Sequence, residues 1–243
     1  MIRPDELPSP RPALVGISHG TSSPHGQRAI ARLMNAVASR DAAILVRSGF
    51  VDVQQPTIPE TLARIPHECR SVVVPLLLSA GYHVHVDLME ATRDLAPRVI
   101  LANALGPDPR LTTILRRRLR DAGYRPDDVV ILAAAGSSDH RALEDCRSVC
   151  NRLAQELGRE VQAAFLSAAE PSLPDAIKRV RDTHPGRRIV VSSYLLAPGY
   201  FHSLIERSEA DVVTAPLLTA DGAIPAGLVE LIHDRYHAAL ARP

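Results

Sequence analysis

The chain has 243 residues, 46% of them hydrophobic, enough to bury one large core or two of ordinary size, and two is the better reading. With 28 Lys and Arg against 27 Asp and Glu the formal net charge is +1, so nothing in the charge argues for nucleic acid and any anionic ligand must be met locally. No run approaches the length of a membrane span, the Pro-rich tail 1–12 carries no signal-peptide core, and Cys69, Cys146 and Cys150 are an odd number unsuited to a disulfide framework, so a cytoplasmic protein is expected.

Ala13 to Ser18 reads as a short strand, followed by His19-Gly-Thr-Ser-Ser-Pro and a helix that Ser23 can cap and Pro24 can start. Ile30, Leu33, Met34 and Val37 form its apolar stripe. Ala43 to Phe50 is a second strand, ending near Asp52. Thr57 and Glu60 then have capping-box spacing for a short helix carrying Ile58, Leu62 and Ile65. Val72 to Leu78 is a third strand, a buried apolar run broken only by Pro75, and Gly81 lets the chain turn before His83. A helix over 84–95, a strand over 98–103 and a last helix with Leu111, Ile114, Leu115 and Leu119, stopped by Gly123, complete the unit. Alternating strands and helices imply a parallel sheet covered on both faces.

From Asp128 the pattern repeats. Gly136 follows Gly20 by 116 residues, Phe165 and Pro171 follow Phe50 and Pro56 by 115, and Tyr200 follows Tyr82 by 118. The expected division is a first α/β unit over 13–125 that carries the active site and a degenerate second unit over 126–243. Both are flavodoxin-like parallel sheets, the pair forming an internal pseudo-dimer that could serve as a monomer.

In a strand order 2-1-3-4 the first and third strands are neighbours, and ligands collect where such strands end. His19 and His83 would then face one crevice, with Asp52 reaching the same rim. Two imidazoles and a carboxylate suit a borderline divalent ion such as Co²⁺ or Fe²⁺. The second unit supplies the control. Ala135, Ser167 and Phe201 stand where the first has His19, Asp52 and His83, while glycines, prolines and apolar stripes remain. Thr21, Ser22 and Ser23 offer hydroxyls and N–H groups to substrate carboxylates, although simple helix capping explains a serine there equally well.

Three segments carry a family resemblance: His19-Gly-Thr, Phe50-Val-Asp52-Val-Gln-Gln-Pro56-Thr, and Leu78-Ser-Ala-Gly-Tyr-His83 with Asp87. In these the chain resembles the class II chelatases of the sirohydrochlorin cobaltochelatase and ferrochelatase type, in their two-half form. The resemblance implies a lyase that inserts Co²⁺ or Fe²⁺ into the tetrapyrrole sirohydrochlorin on the way to cobalamin or siroheme. It implies no ATP and no cofactor beyond the substrate metal. The family's two metal-contacting histidines map onto His19 and His83; its acidic position, commonly glutamate, is Asp52 here.

Other features read less chemically. His83-Val-His85-Val-Asp87 is similar to a metallo-hydrolase motif, which is one rival reading, but Leu88 stands where the following histidine belongs. A tetrapyrrole or metal carrier without turnover is the other rival. Cys146 and Cys150 read as small core residues, His202 as a surface or interface residue, and Arg116, Arg117, Arg118 and Arg120 as a solvated helix face. No Walker or dinucleotide-binding motif supports nucleotide use.

Overall fold

The computed structural model describes residues 11–79 and 82–242, with the backbone alone over 82–87. Residues 1–10 of the expected tail, and Gly81, lie outside the described residues. The first unit contains β1 (Ala13–Ser18), α1 (Pro24–Arg40), β2 (Val46–Phe50), α2 (Ile58–Ala63), β3 (Ser71–Pro75), α3 (Tyr82–Arg93), β4 (Val99–Leu101) and α4 (Pro109–Asp121). The second repeats the series with β5 (Val129–Ala134), α5 (His140–Leu157), β6 (Val161–Phe165), α6 (Leu173–Thr183), β7 (Ile189–Tyr194), α7 (Tyr200–Glu206), β8 (Val212–Val213) and α8 (Ala226–Leu240). Each unit has one four-stranded parallel sheet, ordered β2-β1-β3-β4 and β6-β5-β7-β8. The flavodoxin-like order expected from sequence is the one observed.

Local chemistry sets the element starts. Ser23 Oγ accepts from Gly26 N at 3.4 Å, capping α1 with Pro24 in its first turn. At α2, Thr57 Oγ1 accepts from Glu60 N while the Glu60 carboxylate accepts from Thr57 N, so two otherwise orphaned donors are satisfied reciprocally. β3 is shorter than its apolar run because Pro75 has no N–H to give the ladder, and Leu76 N makes the last bond to β1, at the Ile17 carbonyl.

Strand periodicity sorts side chains into three apolar layers. Leu14, Val72, Val74, Val130, Leu132 and Val190 point into a central core shared by both units. Their neighbours Val15, Ile17 and Val73 face an outer core under α2 and α3, and Ile131, Ala133 and Val191 face its counterpart under α6. All twelve of these strand residues are at 0% exposure and follow this alternation, and truncating one to alanine would cost about 2–5 kcal/mol for a Leu.

Central helices are exchanged between the halves. α8 lies against β3, β4 and α1, whereas α4 lies against α5 and β7. Arg235 of α8 donates from Nε to the Ala104 carbonyl at 2.8 Å and from Nη2 to that of Leu105 at 2.9 Å, and Tyr236 Oη donates to the Pro12 carbonyl at 2.6 Å. This placement corrects the reading of the arginine run as wholly solvated. Arg117 and Arg120 remain exposed, but Arg116 pairs with Glu156 at 3.4 Å and Arg118 Nη2 donates to the Leu217 carbonyl at 2.8 Å. One edge of the polar face of α4 meets the second unit.

Candidate active site

The candidate site lies at the carboxyl ends of β1 and β2. His19 is the first residue beyond β1, exposed at the rim, and its carbonyl accepts from Asp52 N at 3.0 Å. Ser18 O accepts from Val51 N at 3.0 Å one step earlier, so the strand pairing continues past both strand ends. Thr21 N donates to Gln54 Oε1 at 2.9 Å, and Gln27 Nε2 donates to the Thr21 carbonyl at 2.8 Å. Gly20 sits between these bonds at φ 98°, where a β-carbon would collide with the Asp52 carbonyl; only glycine fits. The loops bearing His19 and Asp52 are therefore stitched into one rigid rim.

Asp52 itself is exposed, and its Oδ1 accepts from Val53 N at 2.7 Å. Its carbonyl accepts from Gln54 N at 2.7 Å, closing a tight turn around Val53 at φ 65°. A β-branched residue at positive φ is an outlier that persists only where its surroundings determine it, and such outliers gather at functional sites. Gln54 was not singled out from sequence. Its amide has no motif of its own, and only the fold shows that it ties the two loops.

Thr21 Oγ1 accepts from Ser23 N at 3.1 Å, Ser23 caps α1, and Ser22 is exposed. The two engaged oxygens act as acceptors, which leaves their hydroxyl protons for a ligand. His83 lies in the first turn of α3, which leads away from β3, the hydrogen-bonded neighbour of β1. The side chains of His83, His85 and Asp87 lie outside the described residues, so the facing of His19 and His83 rests on strand order. Among the described residues no three His, Cys, Asp or Glu side chains form a metal-holding group.

The second unit presents its own loops to this rim. A β-carbon at Gly199 would stand 3.2 Å from Thr21 Oγ1, and one at Gly26 would run into the Pro198 carbonyl. Tyr194, fully buried, donates its hydroxyl to the Leu78 carbonyl at 2.8 Å, ahead of the segment leading to α3. Burial pushes the Cys146 thiol up to about 11, against a weaker opposite pull from a hydrogen bond with Ser79, and burial followed by the neighbouring Cys146 pushes Cys150 to about 12. Neutral thiols in an apolar core are inert, as their reading from sequence required. His202 is more enclosed than expected, with a side chain 12% exposed and Nε2 3.2 Å from the Thr214 carbonyl. A cavity of about 300 Å³ opens on the far side of β3, lined by Pro75, Leu77, Leu88, Asn103 and Arg235.

Comparison with known proteins places the architecture. Sirohydrochlorin cobaltochelatase of Methanosarcina barkeri is 21% identical over 123 residues, which take in 45% of this chain and 95% of that protein. SirB from Bacillus subtilis with Fe³⁺ superposes with a TM-score of 0.78 at 21% identity, covering 95% of this chain and 96% of that one. The sirohydrochlorin chelatase SirB from Bacillus subtilis subspecies spizizenii in complex with cobalt gives 0.75 at 18% identity, with 96% and 97% covered. The CbiX family model matches residues 13–122 and 129–213, most of the sequence, and the chain belongs to the CbiX family.

Proposed function

We propose that this protein inserts a divalent metal, Co²⁺ or Fe²⁺, into sirohydrochlorin, and that the chemistry takes place at the rim of the first unit. The observation that carries the reading is that a His19 and Asp52 rim, stitched loop to loop, is present in a member of the CbiX family. The relatives named above are chelatases, which leaves the metallo-hydrolase and passive-carrier readings without support. We assign the active unit to 13–125 and the packed partner to 126–243, the pair acting as an internal pseudo-dimer in the cytoplasm. No helix among the described residues is long and apolar enough to cross a membrane.

Insertion must strip water from the ion, bring it to one face of the ring, and remove two N–H protons as four metal–nitrogen bonds form, two of them at the deprotonated nitrogens. His19 and His83 are the groups for this work: a neutral imidazole either holds the ion or accepts a proton. Asp52 has its Oδ1 occupied by Val53 N, which suits a carboxylate acting through water or orienting His19 more than one surrendering both oxygens to the metal. Hydroxyls of Thr21, Ser22 and Ser23 are placed to meet substrate carboxylates. The reaction balances without ATP, since the metal–nitrogen bonds and the released protons account for it. An absorbance time course with sirohydrochlorin and each metal tests the reading. Catalysed spectral conversion above the uncatalysed rate is the expected result, and equality of the two rates would overturn it.

A further inference from the structure

We propose that Tyr200, from the second unit, is a binding residue of the first unit's site, giving the tetrapyrrole ring an aromatic face to stack against. The proposal rests on the chelatase reading and deepens it, since it names a contact in the half that lacks the histidines. The connection from β7 to α7 lies against the His19 loop, with Gly199 beside Thr21 and the Pro198 carbonyl beside Gly26. Tyr200 is the next residue after Gly199, and Thr21 is two residues from His19. Tyr200 is 69% exposed, the most exposed large hydrophobic residue among those described.

That exposure comes with bracing. The Tyr200 ring tilts against Phe201 at a centroid distance of 5.6 Å, and Phe201 in turn packs on the outer apolar core of the second unit. Ser203 Oγ donates to the Tyr200 carbonyl at 2.7 Å, fixing the first turn of α7. Among the described residues the other exposed large apolar ones are Val53, next to Asp52, and Met89, on the helix that carries His83. Exposed apolar groups thus gather on segments that build this rim. A tetrapyrrole has a broad apolar face and carboxylates at its edge, and an offset-stacked aromatic ring is the side chain that recognises such a face. The duplication agrees: at the position aligned with Tyr82 the second unit keeps a tyrosine, although the next residue has changed from His83 to Phe201.

The test separates binding from turnover. Sirohydrochlorin affinity is measured by absorbance titration without metal, and KM and kcat with Co²⁺, for the full chain and for Tyr200→Ala and Tyr200→Phe. Tyr200→Ala should raise both Kd and KM about ten-fold, with a much smaller change in kcat and an unchanged melting temperature. Tyr200→Phe should restore most of the affinity. Wild-type Kd and KM in Tyr200→Ala would overturn the proposal, as would a Tyr200→Phe variant as weak as the alanine one. If the wild type binds the tetrapyrrole without inserting metal, the chelatase reading fails while the Kd comparison still decides the role of Tyr200. A wild type that does not bind it at all overturns both.

Discussion

The two rims of this molecule share a backbone and differ in chemistry. Asp52 N donates to the His19 carbonyl at 3.0 Å, and Ser167 N donates to the Ala135 carbonyl at 3.0 Å. Gly20 at φ 98° leans on the Asp52 carbonyl, and Gly136 at φ 93° leans on that of Ser167. Val53 and Ala168 both sit at positive φ; Thr21 Oγ1 and Ser137 Oγ accept from Ser23 N and Asp139 N, respectively. Yet Ala135 and Phe201 join the outer apolar core of their unit, where the first unit has His19 and His83. The comparison separates what the fold needs from what it can do without. Glycines and turns at a strand end are required by the architecture, and the imidazoles are not.

The sharpest break of this comparison is His19→Ala. His19 is exposed at the rim, so its removal should leave the melting temperature unchanged while lowering catalysed insertion by roughly 10²-fold or more, the scale of a lost acid-base group. The reverse change, Ala135→His, should add no activity, because Ser167 and Phe201 offer the new imidazole no partners. Initial rates for both variants decide the matter, and a wild-type rate in His19→Ala would move the chemistry elsewhere.

A matched pair of glycine variants tests the shared part. Gly20→Ala and Gly136→Ala each force a β-carbon against a carbonyl at positive φ, so each should destabilise the protein by about 1–3 kcal/mol. Denaturant melts should find the two alike. Insertion, corrected for the folded fraction, should fall in Gly20→Ala alone, because only there does the displaced carbonyl belong to a residue of the proposed site. Equal loss of specific activity in both would contradict a one-sided site.

Much of this was legible in the sequence because duplication wrote it twice. Recurrent Gly20 and Gly136, the Thr57 and Glu60 capping box, and the stripe Ile30, Leu33, Met34 and Val37 marked the elements, since each depends on neighbours close in the chain, whereas the strand order 2-1-3-4 entered as a premise that the sheets then bore out. What depended on distant partners was not legible. Arg118 reads as a solvated charge until Leu217, 99 residues away, supplies its carbonyl. The exchange of α4 and α8 leaves no periodic mark, because both helices show an apolar stripe whichever sheet they cover. Gln54 likewise becomes part of the rim only when β1 and β2 are side by side.

Acid stability should distinguish the units in a different way. At the entry to β5, the Asp128 side chain is 3% exposed and held by Arg188 Nε at 2.8 Å and Nη2 at 2.7 Å, with Arg125 N at 2.7 Å; the first unit has Pro12 at the corresponding position. Burial works to raise this carboxyl's pKa, but the Arg188 and Arg125 bonds outweigh it and the net shift is downward. A folded pKa below the unfolded one gives stability that is present above the ordinary carboxylate range and lost as pH falls through the folded value. Asp128→Asn should cost about 2 kcal/mol near neutral pH, the scale of hydrogen bonds to a charged group. The gap between the melting curves of variant and wild type should close on acidification. A gap that is constant down to acid pH would rule out the charged pair as its source.

The smallest expected effect belongs to Ser167→Ala, at the position aligned with Asp52. Ser167 is exposed, and its Oγ donates to the Ala135 carbonyl at 3.0 Å alongside the backbone bond that Ser167 N already makes to that carbonyl. Loss of the hydroxyl leaves that acceptor satisfied and exposes no buried polar group, so the stability change should stay within about 0.5 kcal/mol. Turnover should also be unchanged. The second unit's connection that reaches the His19 rim is the one between β7 and α7, at Pro198 and Gly199, whereas Ser167 follows β6, on the opposite side of β5 from β7. The same rate assay used for His19→Ala checks this. A large loss of activity in a folded Ser167→Ala protein would show that the second rim takes part in the reaction, and the division between scaffold and chemistry drawn from the two rims would have to be given up.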